Sequence, residues 1–439
     1  MISFDEPVMT DTSLGKQMHS LATMMFPICR SITGNGVRQT LNILKEEIPL
    51  VIYEVPSGTK VFDWEVPKEW NIREAYIKNS TGEKIVDFKN CNLHVLNYST
   101  PINKKISLEE LKKHLSSLPD HPDWIPYRTS YYKENWGFCL THRQFQNLED
   151  GEYEVEIDST LEEGSLTYGE CLVPGRRDEQ VLISCHACHP SLCNDNLSGV
   201  VLALKLAQTL RTHTLEYSYR FLFIPGAIGS ITWLNRNQDQ AKKIVNGLVL
   251  ACLGDSGKST YKKSRRGNAE IDRAAEHVLK HSKSEYDILE FSPYGYDERQ
   301  FCSPGFNLPV GCFMRTPFAK FPEYHTDADN LNFVRPEFLA DSFDKCIEIV
   351  NILENNKTYI NLNPMCEPQL GKRGLYRNIG GDSAENVSEL GLLWVLNQSD
   401  GSHSLLDIAE KSGIVFQVLS KAAGSLVEHG LLKEVEYGQ

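Results

Sequence analysis

Between residues 153 and 253 the chain alternates short, almost continuously apolar runs with amphipathic stretches, and that alternation narrows the fold more than any other feature. VLISC (181–185), YRFLFI (219–224) and NGLVLACL (246–253) have the unbroken apolar character of strands buried on both faces. LSGVVLALKLAQTLR (197–211), between the first two, has the spacing of a helix. Buried strands alternating with helices require an open α/β sheet covered on both sides. YEVEIDS and LTYGECLV precede the block as two more strands. In such sheets ligands bind just beyond the carboxyl ends of the strands, so the residues following each run are where chemistry is expected.

The flanks have a different character. Residues 14–48 show helical spacing interrupted near Pro27 and at Thr33-Gly34-Asn35-Gly36, which predicts two helices and a loop. After Pro49 the segments VIYEV, TKVFDWEV, EAYIK, EKIVDF and NLHVLNY alternate in the manner of strands and mark a β-rich insertion. Its aromatic residues, from Tyr53 to Trp136, suit a core, with an exposed carbohydrate or peptide platform as the alternative. A helix over 108–118 is expected within it, with Ser107 as cap and Glu110 three residues on. Beyond Asn363-Pro364, the Gly-rich GKRGLYRNIGGDS leads to helical patterns at 388–397, 404–411 and 415–429, then the strand-like LLKEVEY. That order is a helix-turn-helix with a wing. From Leu375 onward four basic residues face nine acidic ones, a net of −5, whereas a DNA reader needs a basic face. Protein contact or self-association through this tail is the expectation.

Charge and composition exclude further classes. The chain has 45 Lys and Arg against 58 Asp and Glu, and a net charge of −13 repels nucleic acid and anionic lipid. No apolar run reaches the roughly 20 residues of a membrane helix, and the start MISFDEPVMTDTS is too acidic for a signal peptide. A cytoplasmic protein with reduced thiols is expected, its 12 cysteines being scattered from Cys29 to Cys366. No Gly-rich nucleotide loop occurs, so nicotinamide and nucleoside triphosphates have no support.

The stretch VLISCHACHPSLCNDNLSG places His186 and His189 at a strand end and Asp195 just before a helix. Imidazole and carboxylate are ligands of catalytic zinc, although Asp195 could equally cap the helix. A second stretch, EYHTDADN, sets His325 beside Asp327 and Asp329 after the strand-like PVGCFM. The pair NDNLSG and YHTDADN, each after an apolar strand, resembles the zinc exopeptidase superfamily of aminopeptidase type over residues 153–354. More closely, the chain is similar to bacterial aminopeptidase-like proteins with an inserted β domain and a C-terminal winged helix. The resemblance implies an α/β fold, an open mixed sheet with helices on both faces. It implies an aminopeptidase-like domain over 1–55 and 131–365, an inserted β-rich domain over 56–130 and a winged helix over 375–439. It also implies zinc, one ion or two, held by His186 or His189, by Asp195 as the bridging carboxylate, by Asp255 in LACLGDSG and by His325. The aspartate expected two residues after the first histidine is replaced by Cys188. A thiolate site built from Cys185, Cys188, Cys193 and a histidine is the competing arrangement.

The chain departs from the superfamily in FLFIPGAIGS. A Glu-Glu pair there would supply the proton acceptor and one ligand, and this chain has Gly226 and Ala227. Proton transfer then needs another carboxylate, and Asp297, Glu298 and Glu323 are the candidates, with solvated loop charges as the alternative. Arg265 and Arg266 could bind a substrate carboxylate by forked hydrogen bonds, or lie on a solvated surface. A metal-dependent hydrolase acting on an amide or peptide bond of a small substrate follows from the resemblance. A non-peptide amide hydrolase of polysaccharide biosynthesis and a catalytically silent binding protein are its rivals.

Overall fold

The computed structural model describes residues 12–375 and 389–435. The acidic start, most of the Gly-rich connection from 376 on, Ser388 and the last residues from 436 lie outside the described residues. Eight strands form the main sheet: β1 (Val51–Pro56), β2 (Ser165–Val173), β3 (Gln180–His186), β4 (Ser218–Ile224), β5 (Ile244–Leu250), β6 (Ser259–Lys262), β7 (Tyr286–Leu289) and β8 (Val310–Met314). Their order is β1-β2-β4-β3-β5-β8-β6-β7. The central strands β4, β3, β5 and β8 run parallel, while β2 joins β4 and β6 joins β8 antiparallel. Every residue of β3 and β4 is buried, which is why those runs show no polar alternation. Their cover includes α1 (Thr12–Met25), α2 (Asn35–Glu47), α3 (Ser198–Leu210) and α4 (Ile228–Arg236), with α3 packed on β3 and β5 and α2 on β2. The sheet is mixed α/β, and the four parallel strands bring their carboxyl ends to one edge.

The turn between α1 and α2 reaches toward that edge. Gly36 lets α2 close on the preceding turn, since a β-carbon there would lie 2.0 Å from the Cys29 carbonyl oxygen. Arg30, the next residue, is buried and donates from Nη1 to the Met25 carbonyl at 2.7 Å and from Nε to the His189 carbonyl at 2.8 Å. In the β-rich region, strands at Glu69–Lys78 and Ile102–Ser107 pair with a long strand at Glu152–Glu162, and Lys84–Asp87 pairs with the outer side of Glu69–Lys78. The helix expected over 108–118 is only Leu108–Lys112, capped by the Ser107 side chain. It stops early because residues 114–116 pair with the short strand Phe138–Cys139 instead.

The described chain divides into two compact units, one formed by 12–269 and 286–343 and the other by 270–285 with the described residues from 344 on. The second unit contains the winged helix, with helices Glu389–Gln398, Leu405–Ser412 and Phe416–Glu428 and a strand Leu432–Glu434. That strand and Asp400–Ser404 flank Thr358–Asn361 in a three-stranded sheet. Helix Glu270–His281 packs within the same unit: Arg273 forks to Asp407 at 2.6 Å and to Glu410 at 2.7 Å. His277 Nε2 accepts the Phe416 N–H at 3.0 Å, capping the third helix. Among the described residues no helix is long and apolar enough to cross a membrane.

Burial, with His281 and Lys280 nearby, pushes the His277 imidazole down to about 4. The folded chain keeps His277 neutral, whereas an unfolded chain protonates it below about pH 6.5. The stability linked to it is therefore complete above that pH and lost as pH falls toward 4. Thermal unfolding followed from pH 7 to 4.5 should show a falling midpoint, with a shallower fall in His277→Gln. An identical slope in both proteins would contradict the assignment.

Candidate metal centre

His186 is the last residue of β3, paired in register with Ile224 at the end of β4. The following loop returns through Asn194, Asp195 and Asn196 to α3, and the sequence fixes its path through polar side chains. Asn194 Oδ1 accepts the Gly254 N–H at 2.9 Å, and Asn196 Nδ2 donates to the Leu250 carbonyl at 3.0 Å, tying the loop to the end of β5. Ser198 closes the turn with its hydroxyl on the Asn194 carbonyl at 2.6 Å. Asp329 accepts the Asn194 and Asp195 N–H groups at 2.6 and 2.9 Å, one on each carboxyl oxygen. The capping bond at the start of α3 comes from Asn196, whose Oδ1 accepts the Gly199 N–H at 3.2 Å. The Asp195 side chain, spared from capping, points to the imidazoles.

His186 Nε2 lies 2.8 Å from Asp195 Oδ1, and His325 Nε2 lies 3.0 Å from Oδ2. His189 Nδ1 lies 3.7 Å from Oδ1 and has no hydrogen-bond partner although it is buried. Three imidazoles thus converge on one carboxylate, and His325 is the member open to solvent, its side chain 29% exposed. Burial opposes the charge of Asp195, but His189, His186 and His325 overcome it and hold the carboxyl well below its ordinary value. Burial pushes His189 the other way, down to about 3, so the ring is neutral and offers a lone pair.

Tyrosines brace each imidazole. Tyr296 stacks on His186 with centroids 3.8 Å apart, and its hydroxyl lies 3.1 Å from His189 Nε2. Tyr324 stacks on His325 at 3.9 Å, and Tyr127 meets His189 and His325 edge-on at 5.3 and 5.1 Å. Arg30 and Tyr127 carry no motif that would mark them for this site. Tyr296 could have been noticed only as the neighbour of Asp297, and Tyr324 as the neighbour of His325.

The donor set suits a metal ion. His186, His189 and Asp195 bring one ligand atom each within 4.8 Å of one another. Two ligands of a tetrahedral zinc stand about 3.4 Å apart, close to the separation of the partnerless His189 nitrogen from Asp195.

The other expected residues sit elsewhere. Asp255 lies at the β5 end, but its oxygens accept from Asn194 Nδ2 at 2.9 Å, the Thr316 hydroxyl at 2.5 Å and the Gly257 N–H at 2.7 Å. Glu298 is buried against Lys262 Nζ at 2.7 Å and also accepts the Tyr296 N–H at 3.0 Å. Asp297 uses Oδ1 for the Ala227 N–H and the Ser230 hydroxyl, at 2.8 and 2.7 Å, and leaves a buried Oδ2 without a partner. Burial pushes its carboxyl up to about 6. Glu323 is half-buried two residues before His325. Arg265 and Arg266 are exposed and bind Asn307 at 3.0 Å each.

Residues 19–356 match a family described as a domain of unknown function (DUF4910), and residues 357–434 match a winged helix-turn-helix family. The chain belongs to the DUF4910 family. A Clostridium acetobutylicum protein is 54% identical over 99% of this chain and all of its own length. It carries the provisional name of a polysaccharide biosynthesis protein with an aminopeptidase-like domain. A crystal structure of a provisionally assigned peptidase from Clostridium acetobutylicum, 54% identical, superposes with a TM-score of 0.93 over 98% of both chains. A zinc aminopeptidase from Bacillus subtilis, 11% identical, superposes with a TM-score of 0.56 over 77% of this chain and 94% of its own. The DUF4910 chain therefore has an aminopeptidase-like fold followed by a winged helix.

In this DUF4910 chain the Tyr296 ring occupies the space beside Gly226. A β-carbon added at Gly226 would lie 2.2 Å from the Tyr296 ring. Gly226→Glu should consequently not restore a working carboxylate; overpacking should cost about 1–3 kcal/mol and lower the melting temperature. Combining it with Tyr296→Ala should recover most of that loss. A single variant as stable as the parent would show that the ring does not fill the space.

Proposed function

We propose that this protein is a zinc-dependent hydrolase that cleaves an amide or peptide bond in a small substrate. The observation that carries this reading is the convergence of His186, His189 and His325 on the buried, charged Asp195 at the carboxyl ends of parallel strands. The four residues are assigned as the ligand set of one ion. Asp255 orients Asn194 and the loop before β6, because its oxygens are already engaged. When bound, zinc would polarise the scissile carbonyl and make water acidic enough to attack near neutral pH. Tyr296 fixes two of the imidazoles, one by stacking and one by hydrogen bonding.

A proton acceptor near neutral pH needs a carboxyl with a raised pKa and a free oxygen. Asp297 has both, whereas Glu298 is held by Lys262. Asp297 is accordingly assigned the proton-accepting role, with Glu323 the remaining candidate. The geometry favours this set over a thiolate site: among the described residues the group of ligand atoms close enough to share an ion is His186, His189 and Asp195, with no cysteine in it. The provisional name of the Clostridium acetobutylicum relative places that protein in polysaccharide biosynthesis, and a non-peptide amide is accordingly the second reading of the substrate.

The winged helix is assigned to protein contact or self-association. Helix Phe416–Glu428 would present its first residues to base edges in a DNA reader, but His277 caps that end and Lys421 is its one basic side chain. A random duplex at low salt should therefore show no salt-dependent binding, and retention that weakens steeply with salt would overturn this assignment.

Purified protein should carry roughly one equivalent of zinc, lost in Asp195→Ala and His325→Ala and retained in Cys185→Ala. Tyr296→Phe should weaken zinc binding about 10–100-fold, the usual effect of removing a group that orients a ligand. Zinc retained in both Asp195→Ala and His325→Ala but lost in Cys185→Ala would sink the proposal.

A further inference from the structure

Lysine is rarely taken out of water, because its ammonium then needs a partner that offsets the lost hydration. Lys262, first of the basic run 262–266 and last residue of β6, is such a lysine: its side chain is 6% exposed and that of its partner Glu298 is 0% exposed. A buried pair of this kind is a weak source of stability, since well-packed apolar residues of similar volume often do as well. Its specific effect here is on the turn that leads into Glu298. Lys262 Nζ donates to Glu298 Oε1 and to the Tyr294 carbonyl, each at 2.7 Å. Glu298 Oε2 accepts the Tyr296 N–H at 3.0 Å. The backbone on both sides of Gly295 is thereby tied to one ion pair. The approach is close, because a β-carbon at Gly295 would lie 1.9 Å from Glu298 Oε1 and 2.6 Å from Lys262 Nζ.

The turn fixed in this way carries Tyr296 and Asp297 to the candidate centre. Tyr296 stacks on His186 at 3.8 Å and sets its hydroxyl 3.1 Å from His189 Nε2. Asp297 reaches the Ala227 N–H and the Ser230 hydroxyl. Tyr294 is 73% exposed, so burial of its ring does not anchor the start of the turn, whereas the bond from Lys262 to its carbonyl does.

We propose that Lys262 is a positioning residue for the metal centre: through Glu298 and the Tyr294 carbonyl it sets the Tyr296 ring against His186 and His189. The functional consequence rests on the zinc reading, and the structural one rests on the clamp alone, so the test reads the two separately.

The full chain, isotope-labelled at histidine Cε1, is studied metal-free by NMR and then titrated with zinc. Lys262→Met with Glu298→Leu removes both charges at similar volume, leaves no orphaned ion, and should fold with a melting temperature close to the parent's. The Tyr296 ring current shields the His186 Cε1–H, whose resonance is identified by its loss in His186→Gln. In the double variant that resonance should move downfield, toward its position in Tyr296→Ala. Zinc affinity should fall about 10-fold or more, and adding Tyr296→Ala to the double variant should lower it no further. Gly295→Ala drives a β-carbon into the ion pair and should move the same resonance in the same direction, which keeps the clamp testable without the double variant. A His186 resonance at the parent's position in Gly295→Ala and in the folded double variant would overturn the positioning role. Undiminished zinc affinity despite a moved ring, or losses that add to that of Tyr296→Ala, would overturn it equally. A parent that binds no zinc but shows the resonance shift would remove the zinc reading and leave the clamp on Tyr296 standing.

Discussion

A buried carboxylate surrounded by three imidazoles is the constraint from which the rest of the site follows. Asp195 is fully buried, and a lone charge there would cost several kcal/mol of lost hydration. His186 and His325 lie within hydrogen-bond reach of its two oxygens, with His189 slightly farther off. Holding three rings around one group demands a rigid frame, and the polar residues of the loop supply it. Asp329 clamps the two backbone N–H groups at Asn194 and Asp195, Asn194 and Asn196 bind the β5 end, and Arg30 holds the His189 carbonyl from behind. Positive backbone φ angles at His325 and Ala227, beside the cluster, are of the kind that persists only where the surroundings impose it.

After β4, where the resemblance implies an acidic pair, this chain has Gly226 and Ala227, and Tyr296 and Asp297 pack against them. Glycine at 226 admits the Tyr296 ring, which takes the space and touches both His186 and His189. Alanine at 227 contributes only its backbone N–H, and that donor goes to Asp297. Asp297 thereby enters the region from another loop, half satisfied and with a raised pKa.

The central strands were legible because burial on both faces leaves an unbroken apolar signature, and the loops after them because His, Asp and Asn followed those strands directly. The helix pattern of the tail was equally readable, since its three helices bury one face each. What local pattern could not show was long-range partnership. Glu298 looks like an available carboxylate until Lys262, distant in sequence, is found against it. The 108–118 pattern was overruled by pairing with Phe138–Cys139. Helix Glu270–His281 has an ordinary amphipathic sequence, yet it belongs to the unit that holds the winged helix. Arg30 and Tyr127 carry no local signature, because their roles are set by what the fold brings to them.

X-ray absorption at the zinc edge of the zinc-loaded full chain reads the atoms that would surround a bound metal. Ligation by His186, His189, Asp195 and His325 should give nitrogen and oxygen scatterers at about 2.0–2.1 Å with the outer-shell pattern of several imidazoles. A sulfur shell at about 2.3 Å would place the ion among Cys185, Cys188 and Cys193 and contradict it.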